Sequence, residues 1–242
     1  HHDVVGYDVS PKAKEILAAK KYPHIEAGAQ ELLEKTTFRM VDTIGEAVQH
    51  AQIVFVAVQT PHKPEYEGIT PMPDETSDFD YTALIAAVEK ISKTCLALKK
   101  PIALVIISTV LPGTTERELL SIKCIGENPY ISLIYSPMFI AMGTTIADAM
   151  NPEMVLIGAD KKDLSRAMEV MTEFYKPLHS AELLPMAIQS AEMTKVAYNV
   201  FLGLKIVAAN TIMEICHKIG GANCDDVSNA LSKATDRVVS SK

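Results

Sequence analysis

Two runs of consecutive apolar residues, Ile53–Val58 (IVFVAV) and Ile102–Ile107 (IALVII), constrain this chain more than any other feature. A strand with water on one side alternates apolar and polar side chains. A strand apolar at every position must be covered on both faces, as in parallel sheets flanked by helices. The segments around these runs alternate in the way such a sheet requires. Val4 to Asp8 reads as a strand, Lys12 to Lys20 as a helix, QELLEK as a helix and Phe38 to Val41 as a strand. Ile44 to His50 and Tyr81 to Leu98 read as helices, PGTTERELL opens another, and Lys161 to Phe174 is amphipathic. Ile131 to Ser136, Met154 to Gly158 and Ala181 to Leu184 read as further strands. The expected fold is α/β, a doubly wound parallel sheet over residues 1–184.

Beyond it, Pro185 to Gly221 has no internal proline and keeps helical spacing through Val196, Val200, Phe201, Leu204, Val207, Ile212, Ile215 and Ile219. Gly220-Gly221 supplies the left-handed residue that ends a helix. Residues 185–242 are therefore expected to be a long connecting helix and the start of a small helical domain, with Asp225 capping a last short helix. Lys195 and Asn199 lie one turn apart on the long helix, with Glu192 one turn earlier. Such a pair fits a solvated stripe whose lysine stem covers apolar neighbours. It equally fits an ammonium and an amide that face a cleft and hold a substrate oxygen. The helix's apolar residues circle much of the rod, which suggests a homodimer.

Composition excludes several classes. The formal charge is −7 with no run of lysine or arginine, whereas phosphate binding needs clustered cations. No nucleic-acid surface is expected. No apolar stretch is read as reaching the roughly 20 residues that cross a bilayer, and HHDVVGYD lacks the order of a signal peptide. A soluble cytoplasmic protein is the expectation. Cys95, Cys124, Cys216 and Cys224 are scattered without metal-ligand spacing, so neither a metal site nor a disulfide framework is expected. Cys224 precedes two aspartates, which would raise a thiol pKa, and it is read as structural.

Candidate ligand residues fall at strand ends. Asp8 closes the first strand, where a dinucleotide-binding, Rossmann-like sheet places the carboxylate that takes a ribose, and its charge would favour NAD over NADP. DVSP also reads simply as a capping turn with Ser10 as N-cap and Pro11 at the first helical position. The glycine fingerprint that normally lies about 20 residues upstream is not in the chain. The first, central strand is thus read as missing and the residues as part of a longer polypeptide. Thr60 in QTP and Thr109 in STVLPG follow the two strongest strands, at the carboxyl edge where such sheets hold ligands. Between those strands, residues 60–79 lack periodicity and read as a long loop.

In order, GYDVSP, VFVAVQTP, DFDYTALIAAV, IISTVLPGTT, YSPMF, GTTIADAMNPEMVLIG and SAEMTKVAYNVFLGLKI resemble the nucleotide-sugar dehydrogenases, the family of UDP-glucose 6-dehydrogenase. The resemblance runs in register from Val4 to about Ala230. It implies an NAD-binding Rossmann domain joined by a long helix to a helical dimerisation domain, and NAD-linked oxidation of a sugar 6-hydroxyl to a carboxylate through a cysteine-bound intermediate. By position, Asp8 resembles the residue at the NAD ribose and Thr60 one beside the cofactor. Thr109 resembles the threonine that orders a catalytic water, and Lys195 and Asn199 the pair that holds the reacting oxygen. Three departures stand out: the glycine fingerprint is absent, the family's cysteine would fall beyond Lys242, and Met138 stands where a P-E-F motif has glutamate. Ala141 and Met142 also replace charged residues, Gln59 replaces a proline, and the loop from His62 to Asp78 is longer than usual. Such a segment is expected to be inactive by itself. The rival readings are a 3-hydroxyacid dehydrogenase of related architecture and a non-catalytic scaffold.

Overall fold

The computed structural model describes residues 2–234. The chain forms two compact units, His1–Val196 and Ala197–Lys242. In the first, β1 (Val5–Gly6) pairs in parallel with β2 (Arg39–Met40) as a separate two-stranded sheet. β3 (Ile53–Val56), β4 (Ile102–Ile106), β5 (Ile131–Tyr135), β6 (Val155–Gly158) and β7 (Leu183–Met186) form a second sheet in that order. The α/β class and the Rossmann-like order of strand and helix agree with the sequence. A single continuous sheet does not form among the described residues, because β1 and β2 bond to each other and not to β3.

The faces of the large sheet explain the unbroken apolar runs. Leu104 and Ile106 of β4, with Leu133 and Tyr135 of β5 and Leu156 of β6, enter one core. That core holds α3 (Ile44–His50) through Val48 and α4 (Thr82–Leu98) through Leu84, Val88, Ile91 and Cys95. The alternate residues Ala103, Val105, Ile134, Val155 and Ile157 enter a second core against Ala167, Met171 and Tyr175 of α7 (Leu164–Tyr175). Period-2 alternation sends neighbours to opposite faces, and both faces of β4 are dry, so every position of its run is apolar. β3, at the sheet's edge, packs on the same two cores with Ile53, Val54 and Phe55 half-buried. Each fully buried Leu or Ile contributes about 1.5–3 kcal/mol of transfer free energy, which makes β4 the anchor of both layers.

The structure corrects four sequence expectations. β5 and β6 meet antiparallel, bridged at Tyr135 and Gly158, while the other pairs in both sheets are parallel. The intervening segment holds only the short α6 (Thr145–Met150), stays at the edge where β5 ends and brings β6 back from there; Met138 and Met154 line one small cavity. The last strand runs on through Pro185 to Met186, so the long helix α8 begins at Ile188 and ends at Ile219. β7 is an edge strand, where a missing N–H is tolerated. Asn223, not Asp225, caps α9 (Cys224–Leu231), accepting from the Asp225 amide at 2.8 Å. The apolar limit set on the long helix also fails: Ile188–Ile219 is, by length and composition, long and apolar enough to cross a membrane.

Other local signals hold. Ser10 caps α1 (Pro11–Ala19), accepting from the Lys12 amide, and α2 (Ala29–Lys35) forms over QELLEK. Gly220 and Gly221 take positive φ at the end of α8. Residues 60–79 are a loop apart from a 3-10 turn at Pro64–Tyr66. In the second unit, Val200, Phe201, Leu204, Ile206 and Val207 of α8 are all more than half exposed.

Candidate active site

β3, β4 and β5 are parallel, so their carboxyl ends open on one edge, and the loops that follow carry the candidate residues. Thr60 and Thr109 come together there: the Thr60 hydroxyl donates to the Thr109 carbonyl at 2.7 Å. The neighbouring Ser108 hydroxyl donates to the Val58 carbonyl at 2.6 Å, tying the β3 and β4 loops twice. Each bond satisfies a polar group that strand termination would otherwise leave unpaired. The Thr109 side chain is half-buried.

Lys195 reaches this same edge. Its Nζ donates to the carbonyl oxygen of Met138, just past the end of β5, at 2.6 Å, and lies 4.6 Å from the centre of the Phe139 ring. The residue is 8% exposed, so it is not part of a solvated stripe and the ammonium does not snorkel to water. Burial holds its pKa below the ordinary lysine value. A desolvated ammonium with a carbonyl and a ring for company is a strong donor toward an oxygen that gains negative charge.

α8 is brought here by close packing. A methyl group at Gly158 would lie 2.8 Å from the Ala191 Cβ and 3.2 Å from both the Ile188 Cα and the Tyr135 carbonyl. Only glycine lets the helix approach the strand this closely. Glu192 is completely buried and accepts from the backbone amides of Gly113 at 2.6 Å and Thr115 at 2.8 Å.

Asp8 is exposed at the turn after β1, and one of its oxygens accepts from the Ser10 amide at 2.7 Å. The capping reading is therefore realised, and it leaves the carboxylate at the surface. No hydrogen bond joins Asp8 to Thr60, Thr109 or Lys195. Asn199 belongs to the second unit and is exposed there.

Sequence reasoning missed a network behind the Thr109 loop. The Tyr81 hydroxyl donates to Asp78 at 2.6 Å and accepts from the Leu111 amide and the Thr114 hydroxyl, both at 3.2 Å. Burial and then the Asp78 bond push the Tyr81 hydroxyl up from its ordinary pKa. Arg117 donates to the other Asp78 oxygen at 2.6 Å, so the end of the long 60–79 loop is pinned to the helical turn Thr115–Leu120. Glu192 left one signal, an acid on an apolar helix three residues before the lysine. Met138 left none, because its contribution is a backbone carbonyl.

Residues 1–179 match the NAD binding domain, and residues 189–241 the central domain, of the UDP-glucose/GDP-mannose dehydrogenase family. The UDP-glucose 6-dehydrogenase of Rhizobium meliloti is 30% identical over 236 residues, 95% of this chain and 51% of that protein. The Bacillus subtilis UDP-glucose 6-dehydrogenase YwqF is 28% identical over 222 residues, 90% of this chain and 47% of that protein. The chain thus spans about half the length of the curated relatives it matches. Among solved structures, a UDP-glucose dehydrogenase from Pyrobaculum islandicum superposes with a TM-score of 0.79 at 30% identity, covering 95% of this chain and 51% of that one. A GDP-mannose dehydrogenase from Pseudomonas aeruginosa superposes with a TM-score of 0.85 at 24% identity, over 99% of this chain and 53% of that one, a likeness of fold. These matches set aside the 3-hydroxyacid dehydrogenase alternative. With matches to the NAD binding domain over residues 1–179 and to the central domain over residues 189–241, the chain belongs to the UDP-glucose/GDP-mannose dehydrogenase family.

Proposed function

We propose that the protein oxidises the 6-hydroxyl of a nucleotide sugar of the UDP-glucose kind toward the uronic acid, with NAD as oxidant. The observation that carries this reading is the buried Lys195 ammonium bound to the Met138 carbonyl at the carboxyl edge of the sheet. Negative charge grows on an alcohol oxygen as its hydride leaves, and a fixed donor in a desolvated site stabilises that charge with little reorganisation. Asn199, four residues further along α8, is proposed as the amide that shares this oxygen, and Thr109 as the residue that orders a water beside it.

The donor set suits the cofactor of the family. Asp8 is an exposed, acceptor-only carboxylate after β1, the chemistry that takes two ribose hydroxyls and repels a 2'-phosphate. Thr60, held against Thr109, would lie beside the cofactor. NAD, when bound, supplies the hydride acceptor. The protein's part is to hold the alcohol at Lys195, keep water out behind the buried β4 and β5 ends, and place the Thr109 loop.

Residues 1–184 are proposed as the NAD-binding domain and 185–242 as the connecting helix and the first part of a dimerisation domain. The exposed apolar residues of α8 in the second unit support a homodimer that covers them, and a cytoplasmic location is proposed with it. The test is NADH formation by the protein expressed from its complete reading frame, offered UDP-glucose or GDP-mannose with NAD or NADP. Sugar-dependent turnover that prefers NAD is expected. A folded protein that oligomerises yet binds no NAD would instead support the scaffold reading.

A further inference from the structure

The carboxylate of Glu192 is fully shielded from water, and an ionised group in that position must be matched by donors. One oxygen takes the Gly113 amide and the other the Thr115 amide, the groups that open the helical turn Thr115–Leu120. Gly113 has a φ of +86°, a conformation that favours glycine. Upstream in the same loop lies Thr109, bonded to Thr60, and Leu111, bonded to Tyr81. Three residues further along α8, Lys195 is bonded to the loop after β5. One turn of one helix is therefore tied to the β4 loop by an anion and to the β5 loop by a cation.

We propose that Glu192 is a positioning residue whose carboxylate locks the loop carrying Thr109 to the helix carrying Lys195, so that both groups meet the substrate as one rigid body. The catalytic half of this statement rests on the dehydrogenase reading above; the mechanical half rests on the two amide bonds alone. Backbone amides donating to a charged acceptor form the stronger class of hydrogen bond, and a catalytic geometry loosened by about 0.5 Å loses much of its rate.

The test uses the protein from its complete reading frame and the variant Glu192→Gln. The amide keeps the shape but offers one acceptor and one donor, so one of the two N–H groups faces another donor. Hydrogen exchange at Gly113 and Thr115 is expected to accelerate by about tenfold or more, with β4 and β5 unchanged. The kcat per NAD-binding site is expected to fall by about tenfold or more while the KM for the sugar moves less than about threefold. Unchanged exchange at the two amides overturns the tether. Faster exchange with kcat per site within about twofold of the parent overturns the positioning role and leaves a structural cap. If Glu192→Gln does not fold, Glu192→Asp keeps both acceptors, withdraws them by one methylene, and is judged by the same two readings. A parent protein without turnover refutes the dehydrogenase reading, and the exchange measurement still decides whether Glu192 holds the loop.

Discussion

Replacing Lys195 by methionine separates catalysis from stability. Methionine fills most of the lysine's volume and removes the ammonium. The half-buried Met138 carbonyl loses its 2.6 Å donor; leaving it without a partner costs at most about 1–3 kcal/mol. The contact to the Phe139 ring adds about 0.5–1 kcal/mol to the loss. Against this, the fold no longer has to desolvate a charge, the cost expressed in the lysine's lowered pKa. The opposing effects leave a net destabilisation of about 1–2 kcal/mol. Loss of a fixed donor at a developing oxyanion costs about 10²–10³ in kcat. The paired assay is thermal unfolding and steady-state NADH formation with the nucleotide sugar. We expect a small fall in Tm and a fall in kcat of about two to three orders of magnitude. A folded Lys195→Met protein within about threefold of the parent kcat would refute the donor role.

Other outcomes follow from the same contacts. Gly158→Ala sets a methyl 2.8 Å from the Ala191 Cβ, and is expected to lower stability by about 1–3 kcal/mol, read by denaturant midpoint at unchanged m-value. Because burial lowers the Lys195 pKa, the unfolded chain binds more protons than the native one between the lowered value and the ordinary lysine value. The parent should therefore gain stability relative to Lys195→Met as pH rises through that alkaline window, and unfolding titrations that keep their gap constant would contradict it. Asp8→Ala should raise the KM for NAD by about tenfold and narrow the preference over NADP, measured with both cofactors. Phe201→Asp with Leu204→Asp should convert a dimer to a monomer in light scattering, since both residues are over half exposed on α8.

The sequence revealed the layers more readily than the strand directions. Unbroken apolar runs at Ile53 and Ile102 pointed to cover on both faces, which the two cores supply fully for β4 and partly for β3. Nothing in periodicity states which way a strand runs, so the reversal between β5 and β6 was invisible. Pro185 looked like a helix start because proline favours that position, yet an edge strand tolerates it as well. Asn223 and Asp225 both suit an N-cap, and backbone geometry chose the former. At the site, Lys195 was visible as a cation in apolar company. Its acceptor was not, because a main-chain carbonyl has no residue type. Glu192 was visible but had no assignable partner, since the amides it binds lie near residue 113, far away in sequence.

The central claim, that the Lys195 ammonium faces the ligand edge and the substrate's oxygen, can be measured by competitive amine labelling of the complete protein with mass-spectrometric readout. Lys161, exposed before α7, serves as the internal reference. Lys195 should label more slowly than Lys161 in the free protein, and adding NAD with the nucleotide sugar should slow it by a further factor of about ten without affecting Lys161. Labelling of Lys195 as fast as Lys161, indifferent to both ligands, would contradict the account.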